Sequence, residues 1–410
     1  MFASPASLLP VTLRRVGGVV LACATLALTA CGGGDRATDY KPASIVSFGD
    51  ESSAFAAPYV GNLKAANLSA SATLLGLTYT VNRTARREAV TCASDSPLSA
   101  TFCATPSGGD TFTPDDSLTR YVIADPAYPN TVTKLELNSD QSFKRTTTTT
   151  YFCNVPTIWV QTVAQAFGKG YRSACTLSAN AGAESFAEPG AKVAGVIAQI
   201  NANKASLNSG VLVTIMAGQN DILGEYQSLG NAPTQADLEA AQARLRAQAD
   251  LLANAVQGIF ATGAKVVLAL TPDLGESPLA YANSAAGKAV LSALTKAFND
   301  HLYITRLGSS SGRQLVGVNS HELTANRNNG YVHSTALCNP DSSFALLPDG
   351  QTVAANAINY SLDRLKACNT NSYVTGGNLS SYLWADEVRF APTAHAWIGS
   401  IAATRAAQQF

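Results

Sequence analysis

Asp50-Glu51-Ser52-Ser53 sets two carboxylates and two hydroxyls where a short apolar run, Ile45-Val46-Ser47-Phe48, meets Gly49. A β-branched and aromatic run that stops at Gly-Asp reads as a buried strand ending in a sharp turn. Many parallel-sheet enzymes place a nucleophile at such a turn, and three kinds of behaviour are open here. Ser52 or Ser53 could attack a carbonyl, provided that a neighbouring base takes the hydroxyl proton. Glu51 with the distant Asp386 could form a glycoside-cleaving carboxylate pair, with one raised pKa and a separation of about 6.5–9.5 Å for an inverting reaction. Glu51 could also do no chemistry and simply hold a charge, because a glutamate attacking an ester would form an anhydride, an uphill step.

The elements that must position these residues alternate between strand and helix. Val211–Met216 is a continuous apolar run that breaks at Gly218. Leu238, Leu245, Leu252, Val256 and Ile259 then fall on one helical stripe, with Thr234 placed to cap the helix and Gly263 to end it. Lys265–Thr271 is a second apolar run, and a helix through 289–307 leads to a third at Gln314–Asn319. Strands buried on both faces and separated by helices predict a parallel α/β sheet, whose ligands lie beyond the C-terminal strand ends. Glu51, Gly218 and Asp273 all fall at such ends.

Length, charge and cysteines bound the rest. The chain has 410 residues, 46% of them hydrophobic, enough for a large core. Its 28 basic residues balance 28 acidic ones without a basic cluster, which argues against a nucleic-acid partner. Arg14-Arg15, an apolar stretch over 16–30 and Leu28-Thr29-Ala30-Cys31 form a lipoprotein-type signal peptide. The expected outcome is cleavage before Cys31, a lipid on its thiol, a flexible tether over 31–43 and a place in the bacterial cell envelope, the outer membrane being favoured. The partner expected there is the membrane, through Cys31. Of the eight cysteines, Cys92, Cys103, Cys153, Cys175, Cys338 and Cys368 remain beyond the signal peptide and the lipid site. Pairing between neighbours in sequence gives Cys92–Cys103, Cys153–Cys175 and Cys338–Cys368, one of about fifteen connectivities open to six cysteines in an oxidising compartment. No Cys-x-x-Cys pair or histidine cluster offers a metal site, and no cofactor is expected.

Four separated blocks together resemble the GDSL-type serine esterase/lipase family, also called SGNH hydrolases. They are SFGDESSAF at 47–55, SANAGAESF at 178–186, AGQND at 217–221 and LWADEVRFAPTAHAWIG at 383–399. The resemblance implies a flavodoxin-like α/β/α sandwich over 44–410. It also implies a Ser nucleophile, a His base, an Asp that orients the His, and Gly and Asn donors to an oxyanion. Carried over residue by residue, the nucleophile position is Glu51, the oxyanion positions are Gly182 and Asn220, Asp386 is retained, and the His position is Arg389. His395 matches the block's second histidine, on the helix that follows, which has no chemical part. Ser52 and Ser53 are expected on the first turn of a helix, where serines are more often caps than nucleophiles.

With both proton-handling residues replaced, a binding or scaffolding protein is expected, its ligand an ester, acyl or glycan group. An active carboxylester hydrolase using Ser52 or Ser53 is the alternative. Glu51, Arg389 and Asp386 are expected to form one ionic array in the space of Ser–His–Asp, since an unpaired charge in a cleft is costly. The remaining histidines read as structural: His301 on a helix face, His321 in a loop bonded to backbone, His333 near Cys338. Gly308-Ser309-Ser310-Ser311-Gly312 fits a hydrolase elbow pattern, but it joins a helix to a strand and so reads as a loop. The stretch of about 84–150 departs from the family core, and its alternating β-branched runs predict a small β-rich insertion.

Overall fold

The structure, a computed structural model, describes residues 40–410 except 57–58, 63–70, 83, 94–111, 115–119, 125–130, 138–142, 155, 172–173, 175–180, 231, 309–311, 327–328, 339–367 and 369–372. For most of the strands between 59 and 153 it describes the backbone alone. The expectations for the signal peptide, Cys31 and most of the tether therefore lie outside the described residues. Two compact units divide the chain after Tyr40, and every described element belongs to the second.

β1 (Ser44–Gly49) opens a parallel sheet. The chain then builds a second sheet from β2 (Tyr59–Asn62), β3 (Ser71–Leu75), β4 (Thr84–Ala93) and β5 (Phe112–Pro114). The same sheet continues through β6 (Arg120–Ala124), β7 (Thr131–Leu137) and β8 (Phe143–Asn154). Beyond it come β9 (Gly170–Tyr171), β10 (Gly182–Ser185), β11 (Val211–Met216), β12 (Lys265–Ala269) and β13 (Leu315–Val318). These five join β1 in the order β13-β12-β11-β1-β10-β9, with every pairing parallel. The helices are α1 (Trp159–Ala166), α2 (Val193–Asn203), α3 (Gln219–Leu229), α4 (Gln235–Phe260), α5 (Pro278–Ala282), α6 (Ala285–Asp300), α7 (His321–Ala325) and α8 (Pro392–Gln409).

Side-chain alternation along the strands feeds the layers. Val46, Phe48, Val213, Ile215, Val266 and Leu268 share one core with Val196 and Ile200 of α2, Leu245, Leu252, Val256 and Ile259 of α4, and Leu291 and Leu294 of α6. Each fully buried aliphatic side chain contributes about 1.5–3 kcal/mol. On α4, Thr234 accepts a bond from the Asp237 amide, so the predicted cap is present. α8 packs against α1, and a side chain at Gly399 would collide with Thr162 and the Trp159 carbonyl. The family's α/β arrangement is thus the observed one: a six-stranded parallel sheet with helices against it.

The β-rich insertion is wider than the expected 84–150. Its sheet already includes β2 and β3, and β8 pairs with β4 on one side and with β7 and then β3 on the other. β2 and β3 are too short to show a clear alternation, so their pairing was not visible locally. The helix expected to begin at Ser52 or Ser53 is also absent. Residues 51–53 form a turn, and the chain runs into a bridge between Phe55 and Thr78 instead.

Cys338 and Cys368 are joined by a disulfide across 30 residues. Cys103 and Cys175 lie outside the described residues, and with them the other two pairings. A closed loop of this length restricts the unfolded chain by about 3–4 kcal/mol. Cys338→Ala/Cys368→Ala is expected to lose that much in a urea titration run without reductant. Coincident transitions for the variant and the parent chain would contradict it.

Candidate functional site

Two close approaches at glycines and one turn held by a side chain build the site. Gly49 has φ +150°, and a Cβ there would lie 2.3 Å from the Met216 carbonyl oxygen, so only glycine lets β1 end against β11. Asp50 then turns the chain by accepting the Ser52 amide on Oδ1 at 2.9 Å, while the Ser53 amide bonds the Asp50 carbonyl at 3.0 Å. Glu51 is thereby set at the C-terminal end of β1. Gly218, with φ +110°, brings the start of α3 against the Phe298 ring, which a Cβ would meet at 2.3 Å.

From that start, two consecutive side chains hold the loop that leads into α2. Asn220 Nδ2 donates to the Ala191 carbonyl at 3.2 Å, and Asp221 Oδ2 accepts the Val193 amide at 2.9 Å. This places the Gly190 amide and Asn220 Nδ2 side by side. Both donate to Glu51 Oε2, at 3.0 and 2.9 Å. The other oxygen, Oε1, receives Arg389 Nε at 2.8 Å.

Arg389 is held from the other side. Asp386 Oδ1 accepts the amides of Val388 and Arg389 at 2.9 and 2.7 Å, and its Oδ2 accepts Arg389 Nη1 at 2.7 Å. Glu51 is 1% exposed, Arg389 5% and Asp386 9%, so the two ion pairs are shielded from solvent. Burial alone would push the Glu51 carboxyl up, but Arg389 and the Asn220 bond outweigh it and hold the group below its usual range. Burial would likewise lower the guanidinium of Arg389, yet Asp386 and Glu51 raise it above an ordinary arginine.

Gly182 does not join this group. β10 pairs with β1 in the register Ile45↔Ala183, which puts Gly182 level with Ser44 at the opposite end of the strand. Seven residues of extended chain separate that level from Glu51, roughly 20 Å at about 3.3 Å per residue. Gly190, eight residues further on, takes the donor position instead. The signal that could have found it is the Pro189-Gly190 turn just ahead of α2, where the chain has left β10 at the C-terminal edge of the sheet.

Asp50 is the other residue that sequence reasoning passed over. It is fully buried, and its Oδ2 has no hydrogen-bond partner among the described residues. Burial and the adjacent Glu51 charge push its carboxyl up to about 8, so it is protonated at neutral pH.

Among the described residues no hydrogen bond joins either serine to a histidine. The hydroxyl of buried Ser53 accepts the Trp159 indole N–H at 3.1 Å. Ser52 is half-buried beside Asp50. His395 lies on α8, with Nδ1 accepting the Trp159 backbone N–H at 3.4 Å. Burial pushes its pKa down to about 3, which leaves a weak base. His301 bonds Asp250 at 3.0 Å and His333 bonds Asn329 at 2.9 Å. His321 opens α7, and its ring faces the Asp273 carboxylate at 3.6 Å rather than a backbone group. Ser309, Ser310 and Ser311 lie outside the described residues. Among the described residues no group of three or more His, Cys, Asp or Glu side chains could hold a metal ion, and no helix is long and apolar enough to cross a membrane.

Chemically, the arrangement binds charge and is poorly suited to moving protons. A glycosidase acid needs a raised pKa, whereas Glu51 is depressed, and one guanidinium bonds both Glu51 and Asp386.

The GDSL-like Lipase/Acylhydrolase family matches residues 138–358, more than half of the 410-residue chain. The chain belongs to this family. Gly190 and Asn220 lie inside the matched span, while Glu51, Asp386 and Arg389 lie outside it. Solved structures similar to the chain include a phospholipase A1 from Streptomyces albidoflavus, 17% identical over 29% of this chain and 54% of that one, with a TM-score of 0.23. The chain thus spans about half the length of that enzyme. A lipolytic G-D-S-L protein from Veillonella parvula is 12% identical over 62% of this chain and 87% of its own, with a TM-score of 0.31. An extracellular lipase from Streptomyces rimosus is 22% identical over 35% and 63%, with a TM-score of 0.26. No curated protein matches the chain.

The Asp50 carboxyl makes stability depend on pH. Its folded value is raised from 3.8 to about 8, so its contribution is fully present below about pH 4 and is lost as pH rises toward 8. Asp50→Asn is expected to gain on the parent chain across that window, by at most about 1.4 kcal/mol per pH unit. Thermal melts at pH 4, 6 and 8 read this directly. A stability difference that does not change with pH would show that Asp50 ionises normally.

Proposed function

We propose that this chain is a non-hydrolytic member of its family, anchored to the bacterial cell envelope by a lipid on Cys31, and that it serves in binding or scaffolding. The observation that carries the reading is the position of Glu51 Oε2, between the Gly190 amide and Asn220 Nδ2. Those are the donors a substrate oxyanion would use, and the chain's own carboxylate already fills them. The group at the nucleophile position is bonded to Arg389 rather than to a base, and Arg389 stays protonated, so it can take no proton from an attacking hydroxyl. The residues at the start of the chain support the anchor: a signal-type apolar stretch, a cysteine at its end and a Gly-rich tether.

The test is turnover by the purified mature protein on short-chain p-nitrophenyl esters, together with labelling by a fluorophosphonate probe. No hydrolysis above a Glu51→Ala control and no adduct are expected. Glu51→Ser/Arg389→His, which restores Ser–His–Asp beside the same donors, is expected to exceed the parent chain. A probe adduct mapped to Ser52 or Ser53 of the parent chain would overturn the reading in favour of an active esterase.

A further inference from the structure

The carboxylate of Glu51 is surrounded as a bound ligand would be. Oε1 receives the guanidinium of Arg389, and Oε2 receives a backbone amide and a side-chain amide that come from different loops. The groups that carry the three donors are also held by bonds that do not involve Glu51. Asp386 fixes the Arg389 backbone and Nη1, Asn220 is also tied to the Ala191 carbonyl, and Gly190 belongs to the turn that Asn220 and Asp221 hold. The receptor half of the contact is therefore built by other parts of the fold.

From this we propose that the fold keeps a pocket for a small carboxylate, and that Glu51 is its tethered occupant, excluding free acids and acyl groups from the site. The inference rests on the reading that Glu51 stands where a nucleophile would. The ligand class follows from the donors. A permanent guanidinium charge favours a full carboxylate over a neutral ester carbonyl. Three donors spread over two oxygens suit a planar group, while the Asp386 carboxylate close by disfavours an ion of higher charge such as phosphate. Size follows from the side chain itself: Glu51→Ala removes Cγ, Cδ and two oxygens, which are the heavy atoms of acetate.

Tethering also explains why the parent chain should ignore external acids. An intramolecular group acts at an effective concentration of millimolar or more, and Glu51 is already aligned and desolvated. The experiment compares thermal melts of the parent chain and Glu51→Ala at pH 7 in sodium acetate and in sodium chloride of equal ionic strength. The variant is expected to show a saturable rise in Tm with acetate, beyond that in chloride, and the parent chain none. Adding Asn220→Ala to the variant is expected to weaken the acetate effect about tenfold, the loss of one such bond. Pivalate, too bulky for the space, is expected to match chloride.

If Glu51→Ala is too unstable to melt cooperatively, its refolding yield from urea in the same two salts gives the same readout. Coincident acetate and chloride results for Glu51→Ala would overturn the proposal, as would equal stabilisation of the parent chain by acetate. Ester turnover by the parent chain would sink the functional reading alone, because acetate binding is scored without any activity.

Discussion

A guanidinium buried between two carboxylates organises this protein's site. Arg389 cannot shed its charge, so once the C-terminal segment folds under the edge of the sheet, anions must meet it there. Asp386 meets it from the same segment, and Glu51 from the end of β1, 338 residues away in sequence. Such an array adds little stability compared with an apolar filling of the same space, but removing the central Arg389 would leave two buried carboxylates without their counter-charge. It therefore acts as a constraint on register, because the end of β1 and the segment ahead of α8 must arrive together.

The rest of the local structure serves that meeting. Gly49 allows β1 to end against the Met216 carbonyl, and Gly218 lets α3 begin under the Phe298 ring. Asn220 and Asp221 then fix the loop whose Gly190 amide completes the shell around Glu51. Donors arranged in this way would stabilise a developing oxyanion in a hydrolase. Here they bond the carboxylate of Glu51. Asp50 is the counterpart: next to an already charged shell it stays protonated, its Oδ2 without a partner among the described residues.

Much of the sheet was legible in the sequence because its strands are continuous apolar runs punctuated by Gly. Val211–Met216 is at the predicted bounds, and β12 and β13 lie within theirs. The complementary charges of Glu51 and Arg389 could also be read, since opposite charges stood at two positions the family places in contact. Gly182 and Gly190 could not be told apart locally, because the register of β10 against β1 is a long-range property. The second sheet exceeded its predicted bounds for a similar reason. β2 and β3 carry too few residues to show a period, and β8, which ties β3 into the sheet, lies about eighty residues downstream. The turn at 51–53, expected as a helix start, is set by the Asp50 side chain and by the Phe55–Thr78 bridge rather than by helix propensity.

The most direct measurement is a double-mutant cycle on Glu51→Ala and Arg389→Ala, read by urea unfolding at pH 7. Glu51→Ala leaves Arg389 paired with Asp386, whereas Arg389→Ala leaves two buried carboxylates without their guanidinium, so both changes are expected to destabilise and Arg389→Ala the more, by about 3–5 kcal/mol. The double variant is expected to lose clearly less than the sum, with a coupling of about 2 kcal/mol or more. Losses that add within about 0.5 kcal/mol would contradict the claim that Glu51 and Arg389 form one buried unit.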